Sequence, residues 1–297
     1  MPGFTLDCNG RCRLRSATVA IFAASALWLA PAPCVAGLHS GPEYDALVAL
    51  YAAANGSGWT NDTNWGSGDA CQWFDVGCDQ NSDPDDNTSH VVSFDMTGNN
   101  MTGTLAPITA FASLQVFDVG SNRLTGSVPA IANLAHLTNF YVYGNLLTGN
   151  LPDLSGLPAL AVFDADENAL SGSIPSLSGL GALVTFNVGA NALSGSLPDL
   201  TGLGKLAYLD VARNRLSGTI PALPAKVGYF YAALNRFTGA VPAPPATLVS
   251  ASLCPNSLDT TPQAFDAAWD AATGSTPWWA TPFAGNRCDE IYFDAFD

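Results

Sequence analysis

His39, His90 and His136 are the only imidazoles in the 297 residues, and they lie far apart in the chain. The sequence contains no GxSxG, HExxH, P-loop or dinucleotide fingerprint. The remaining candidate chemistry belongs to carboxylates. Asp164 and Asp166 are two residues apart, so on an extended strand both side chains leave the same face. Such a pair does acid–base work only in a pocket that strips water from it. A second acidic group, Asp79, Asn81, Asp83 and Asp85, alternates within residues 79–90 as calcium-loop ligands do. Pro84, however, stands where that loop needs glycine, and no glutamate closes it at the twelfth position. The segment therefore reads as a solvated acidic insertion. No catalytic residue, metal or cofactor is expected.

The elements that must position these groups are repeats. From Val91 to about Pro242 one phrase recurs: apolar-x-x-apolar-x-apolar-x-x-Asn-x-apolar-Thr/Ser-Gly-x-apolar. Its asparagines are Asn99, Asn122, Asn145, Asn168, Asn191, Asn214 and Asn235, spaced by 23 residues five times and then by 21. An eroded eighth copy, with Leu248, Ala251, Leu253 and Asn256, follows another 21 residues on. A fixed period in the twenties with this pattern is that of a solenoid. The alternating part of each copy is a short strand. In the second copy Leu114, Phe117 and Val119 face inward, and Val116, Asp118 and Gly120 face outward. Each asparagine turns inward, where its amide can bond backbone groups of the adjoining turns. The Thr/Ser before each glycine is read as a hydroxyl that satisfies a turn.

The second half of the phrase, as in "NRLTGSVP", "NALSGSIP" and "NRFTGAVP", resembles the plant-type leucine-rich repeats. These occur in receptor-kinase ectodomains, polygalacturonase-inhibiting proteins and secreted bacterial proteins. The resemblance covers residues 42–256. It implies an α/β solenoid: a right-handed leucine-rich repeat horseshoe with a parallel concave sheet of about eight strands. The convex side would be 3-10 or irregular, and helical, disulfide-bonded caps would close both ends. Repeats of the family are usually one residue longer than 23. The resemblance also implies ligand recognition, adhesion or inhibition of an extracellular enzyme.

The flanks fit caps. "PEYDALVALYAAANG" reads as a helix burying Tyr44, Leu47, Val48 and Tyr51 and stopped by Gly56. "GWTNDTNWGSGDACQWFDVGCD" resembles the family's N-terminal cap, so Trp59, Trp65, Trp73 and Phe74 are expected in the core, since a solenoid end exposes its apolar column. "TPQAFDAAWDAATG" reads as a second helix with Phe265 and Trp269 one turn apart and Gly274 at its end. Residues 1–36 carry Arg11, Arg13 and Arg15, an apolar run and a small residue before Gly37, the layout of a secretory signal. The expected division is 1–36 signal, 37–90 N-terminal cap, 91–253 repeats and 254–297 C-terminal cap. Past the signal four cysteines remain, an even count that reads as disulfides in an exported chain. Of three pairings, Cys71–Cys78 with Cys254–Cys288 is expected, because each pair lies beyond one end of the repeats. Asn55, Asn61, Asn87 and Asn100 head N-x-Ser/Thr sequons, relevant only in a eukaryotic host.

The charge is unbalanced: 25 Asp and Glu against 10 Lys and Arg, a net of −15. Nucleic-acid phosphates would be repelled, and no segment after the signal is long and apolar enough to span a membrane. The outward column of the strands carries the informative residues. Tyr141 and Tyr143 form one aromatic patch, and Tyr208, Tyr229 and Tyr231 another. Between and around them stand Asp164, Asp166, Glu167, Asn187, Asp210 and Arg213. Exposed tyrosine supplies contact area at low entropic cost plus a hydroxyl. The acids at this column also suit solubility and strand-edge bonding. The reading that follows is a secreted, non-enzymatic recognition module docking a protein or peptide, basic in character, on the concave face. Binding of a neutral surface carbohydrate is the alternative, and a structural matrix component without a discrete ligand is the third.

Overall fold

The structure, a computed structural model, describes residue 38, residues 40–79 and residues 89–279. The expected signal, the centre of the acidic loop, His39, Asn87 and Cys288 lie outside the described residues. The alternation of apolar and polar residues produces one main sheet. Its strands are β1 (Val76–Cys78), β2 (Val91–Asp95), β3 (Val116–Asp118), β4 (Asn139–Tyr141), β5 (Val162–Asp164), β6 (Thr185–Asn187), β7 (Tyr208–Asp210), β8 (Tyr229–Tyr231) and β9 (Ser250–Ser252). They lie in sequence order, β1 antiparallel to β2 and the others parallel, one per repeat. Each repeat returns over the opposite side through single i→i+3 turns, as in Phe111 N–H to Ile108 O and Leu137 N–H to Leu134 O.

The inward column is aromatic. Phe94, Phe117, Phe140, Phe163 and Phe186 are fully buried. Their rings stack with centroids 5.3, 5.5, 5.6 and 5.5 Å apart. Burying each ring contributes on the order of 2–3 kcal/mol, and the offset stacking adds to it.

The asparagine ladder ties one turn to the next. Asn145 Oδ1 accepts the Leu124 N–H at 2.9 Å, and its Nδ2 donates to Val119 O and Val142 O at 2.9 and 3.1 Å. The same pattern recurs at Asn122, Asn168, Asn191, Asn214 and Asn235. The eroded eighth copy keeps it: Asn256, fully buried, accepts the Phe237 N–H at 2.9 Å. Asn99 instead locks onto the cap, accepting the Asn61 N–H and donating to Asn61 O.

Three features differ from the sequence reading. The Thr/Ser-Gly steps are not simple turns but short parallel strands of further sheets, such as Arg123–Thr125 beside Thr102–Thr104, and a four-stranded set from Ser194–Gly195 to Ser257–Leu258. The hydroxyls do serve the backbone there, Thr125 Oγ1 donating to Gly103 O at 2.9 Å. In the first helix, α1 (Pro42–Ala53), Leu47 and Leu50 are buried while Val48 is 41% exposed. The buried stripe therefore runs through Leu47 and Leu50, while the half-buried Tyr44 and Tyr51 meet the cap indoles. Glu43, only 8% exposed, is a buried acid that the helical pattern does not mark. Its Oε2 accepts the Val91 N–H at 2.8 Å and its Oε1 lies 3.2 Å from His90 Nδ1, which ties α1 to the start of β2.

Both ends are covered. Trp59, Trp65 and Trp73 are buried, and each indole N–H finds a carbonyl: Ala54, Phe74 and Ser67 respectively. The Cys71–Cys78 disulfide joins the cap to β1. At the other end α2 (Asp266–Thr273) packs on β9, starting after Phe265 and ending at left-handed Gly274. Trp269 is fully buried and donates to Pro242 O at 3.0 Å. Cys254 is disulfide-bonded.

Candidate functional site

The parallel register sets the outward side chains of the main sheet in straight rows. The central row reads Asp95, Asp118, Tyr141, Asp164, Asn187, Asp210, Tyr231 and Ser252 across β2 to β9. The row before it carries Val116, Asn139, Val162, Thr185, Tyr208 and Tyr229.

The structure brings Tyr141 and Asp164 onto neighbouring strands, with Tyr143 and Asp166 two residues past the strand ends. The two tyrosine rings meet edge to face, 6.4 Å between centroids. Asn139 Nδ2 donates to the Tyr141 hydroxyl at 3.0 Å, which orients that ring. Tyr143 lies against Gly120, where a Cβ would come within 2.3 Å of the ring. This glycine is therefore a seat for an aromatic side chain, a role that shows only when the two repeats are placed side by side. Three strands on, Tyr208 contacts Tyr229 and Tyr231 at 6.1 and 5.7 Å. Tyr229 is 43% exposed and the other four tyrosines are half-buried.

The acids have a local job as well. Asp118, Asp164, Asn187 and Asp210 each accept the amide N–H two residues ahead, at 2.8, 3.3, 3.2 and 2.9 Å. Asp or Asn recurs at the strand end because a short acceptor there closes this turn. Asp164 is the most perturbed. Burial, then the neighbouring Asp166 charge, push its carboxyl up to about 7 against the Asp166 N–H and Asn187 bonds that favour the ion. Asp210 and Asp118 are raised too, chiefly by burial. Tyr208 is pushed up to about 12, first by burial and then by the charge of Asp210.

Glu167 and Arg213 lie outside these rows. Both are exposed and sit in the left-handed region, φ 50° and 55°, one residue before the ladder asparagine. Ser121, Ala190 and Leu234 hold the same position at φ 54°, 47° and 59°. This column is constrained by the turn, and sequence reasoning missed it because only Gly98 and Gly144 advertise it.

A parallel sheet with one strand per turn, sealed by an asparagine ladder, is the fold of a leucine-rich repeat solenoid, consistent with the plant type. The chain is similar to a TDR receptor, at 29% identity and a TM-score of 0.50, over 56% of this chain and 30% of that one. It thus spans about a third of that receptor's length. It also matches the ectodomain of the receptor kinase SOBIR1 from Arabidopsis thaliana, at 24% identity and a TM-score of 0.50, over 59% of this chain and 94% of that one. No protein-family model and no curated protein sequence matches it.

Proposed function

We propose that this chain is a secreted, non-enzymatic recognition module whose tyrosine–carboxylate band docks a protein or peptide ligand. One observation carries the reading. Two tyrosine patches flank a row of carboxylates on a pre-formed sheet, and the turn bonds that explain the acids leave the tyrosines unexplained. An aromatic side chain held on a rigid surface loses little entropy when a partner covers it. The carboxylates select for basic groups, in keeping with the net charge of −15. The likeness to a receptor supports the class of function. Tyr141 and Tyr231 lie four strand spacings apart, roughly 19 Å, which an extended peptide of about six residues spans.

The test is affinity capture from the native secretome, followed by calorimetry of the purified partner with Tyr141→Ala/Tyr231→Ala. The double variant should bind at least about tenfold more weakly with an unchanged melting curve. Unchanged affinity rules out the band. Because Tyr208, Tyr229 and Tyr231 also make a platform on which a sugar ring can stack, a glycan array separates the carbohydrate alternative.

A further inference from the structure

We propose that the outward face of β5 to β9 reads its ligand in two lanes, one apolar and one acidic, and that the ligand is an extended peptide in which apolar and cationic side chains alternate. The inference rests on the band being a docking surface and adds the kind of sequence that fits it. The residues leading into the strands form a row of their own. Val184 N–H donates to Ala161 O, Ala207 N–H to Val184 O, Gly228 N–H to Ala207 O and Val249 N–H to Gly228 O, at 2.8, 2.9, 2.9 and 2.7 Å. Beside that row, in register, run Val162, Thr185, Tyr208, Tyr229 and Ser250. None of these positions carries a charge, in a chain of net charge −15. Val184, Tyr229 and Val249 are 38%, 43% and 64% exposed, three of the five exposed large apolar side chains among the described residues. Exposed apolar surface is thus gathered along this margin of the sheet.

Two residues further along the same strands the character changes. Asp164, Asn187 and Asp210 make the next outward row, on the strands that carry Val162, Thr185 and Tyr208. Two residues of extended strand span about 7 Å, so the lanes run side by side across the sheet. An extended peptide sends successive side chains to opposite sides. Laid across the strands between the lanes, it puts one set over the apolar margin and the other over the acids. The carboxylates attract guanidinium or ammonium groups. The uncharged margin rewards leucine, valine or aromatic side chains, because covering it removes apolar surface from water. A peptide whose cations and apolar groups come in separate blocks matches one lane and leaves the other unmatched. A second copy of this chain is a poor occupant, because it brings further acids to the acidic lane.

The probes are two peptides of one composition, acetyl-Arg-Leu-Arg-Leu-Arg-Leu-amide and acetyl-Arg-Arg-Arg-Leu-Leu-Leu-amide. Calorimetry with the full chain should show the alternating peptide binding about tenfold more tightly. Val184→Thr/Val249→Thr changes no charge and keeps a branched side chain at two exposed positions, so circular dichroism should be unaltered. It should weaken the alternating peptide about fivefold and leave the block peptide unchanged. Asp164→Asn/Asp210→Asn should instead reduce the salt dependence of binding. Equal affinity for the two peptides, or an alternating peptide indifferent to Val184→Thr/Val249→Thr, overturns the two lanes and leaves the docking surface standing. Binding of neither peptide also overturns the two lanes, and the tyrosine double variant with the captured partner then decides the docking surface separately. A concentration-dependent dimer in sedimentation, dissolved by Val184→Thr/Val249→Thr, assigns the apolar margin to a second copy and overturns the peptide.

Discussion

Asp164 and Asn187 are neighbours in one row with the same local hydrogen bond, yet they burden the fold differently. Folding lifts Asp164 from 3.8 to about 7, so the folded chain holds a proton that the unfolded chain has released. Between those values stability falls as pH rises. Asp164→Asn removes the effect while keeping an acceptor for the Asp166 amide. It should stabilise the protein by about 1 kcal/mol at about pH 8, discounted for partial exposure, and by nothing near pH 4. Melting curves at the two pH values check this. The left-handed column offers a second test: Ala190→Gly should add about 0.5–1 kcal/mol by denaturant unfolding, because glycine meets no steric penalty at φ 47°. The tyrosines and acids of the band were legible in the sequence, since a two-residue period assigns faces. The perturbation of Asp164 was not, because it depends on how deeply the neighbouring rows bury it.

Among the elements, the repeat strands were the easiest to read and the connections the hardest. Seven asparagines at a fixed spacing located the turns, and even the eroded copy proved structural through Asn256. The additional short sheets were hidden because Thr-Gly and Ser-Gly steps carry turn chemistry in isolation. They become strands only when a neighbouring turn presents its carbonyls, as Gly126 O does to the Thr148 N–H at 2.7 Å. The helix face differs at Val48 because i, i+3, i+4 spacing fits two stripes, and the buried one runs through Leu47 and Leu50. Two substitutions probe the elements. Phe140→Ala opens a cavity in the ring stack between Phe117 and Phe163 and should cost about 3–5 kcal/mol. Asn145→Ala strands the Leu124 N–H and leaves the Val119 carbonyl with Asn122 as its one side-chain donor, and should cost about 1–3 kcal/mol without a specific effect on the outward face. Urea unfolding measures both.

At the scale of the whole molecule, each turn contacts mainly the turns on either side, so the ends decide whether the stack holds. The Cys71–Cys78 bridge pins the indole cluster to the antiparallel β1, which occupies the edge of the main sheet before β2. Reducing it should lower the first melting transition and expose tryptophan fluorescence before the remainder of the chain unfolds. In the ladder, an amide of one turn completes the backbone of the turn before it, from Asn122 closing on Met101 to Asn256 closing on Phe237. The array is thus keyed like interlocking bricks, each seating only on its predecessor. Its length is quantised: adding or deleting a whole period leaves every key matched, whereas a cut inside a period leaves a raw seam. Lengthening such a surface is then a matter of copying one brick.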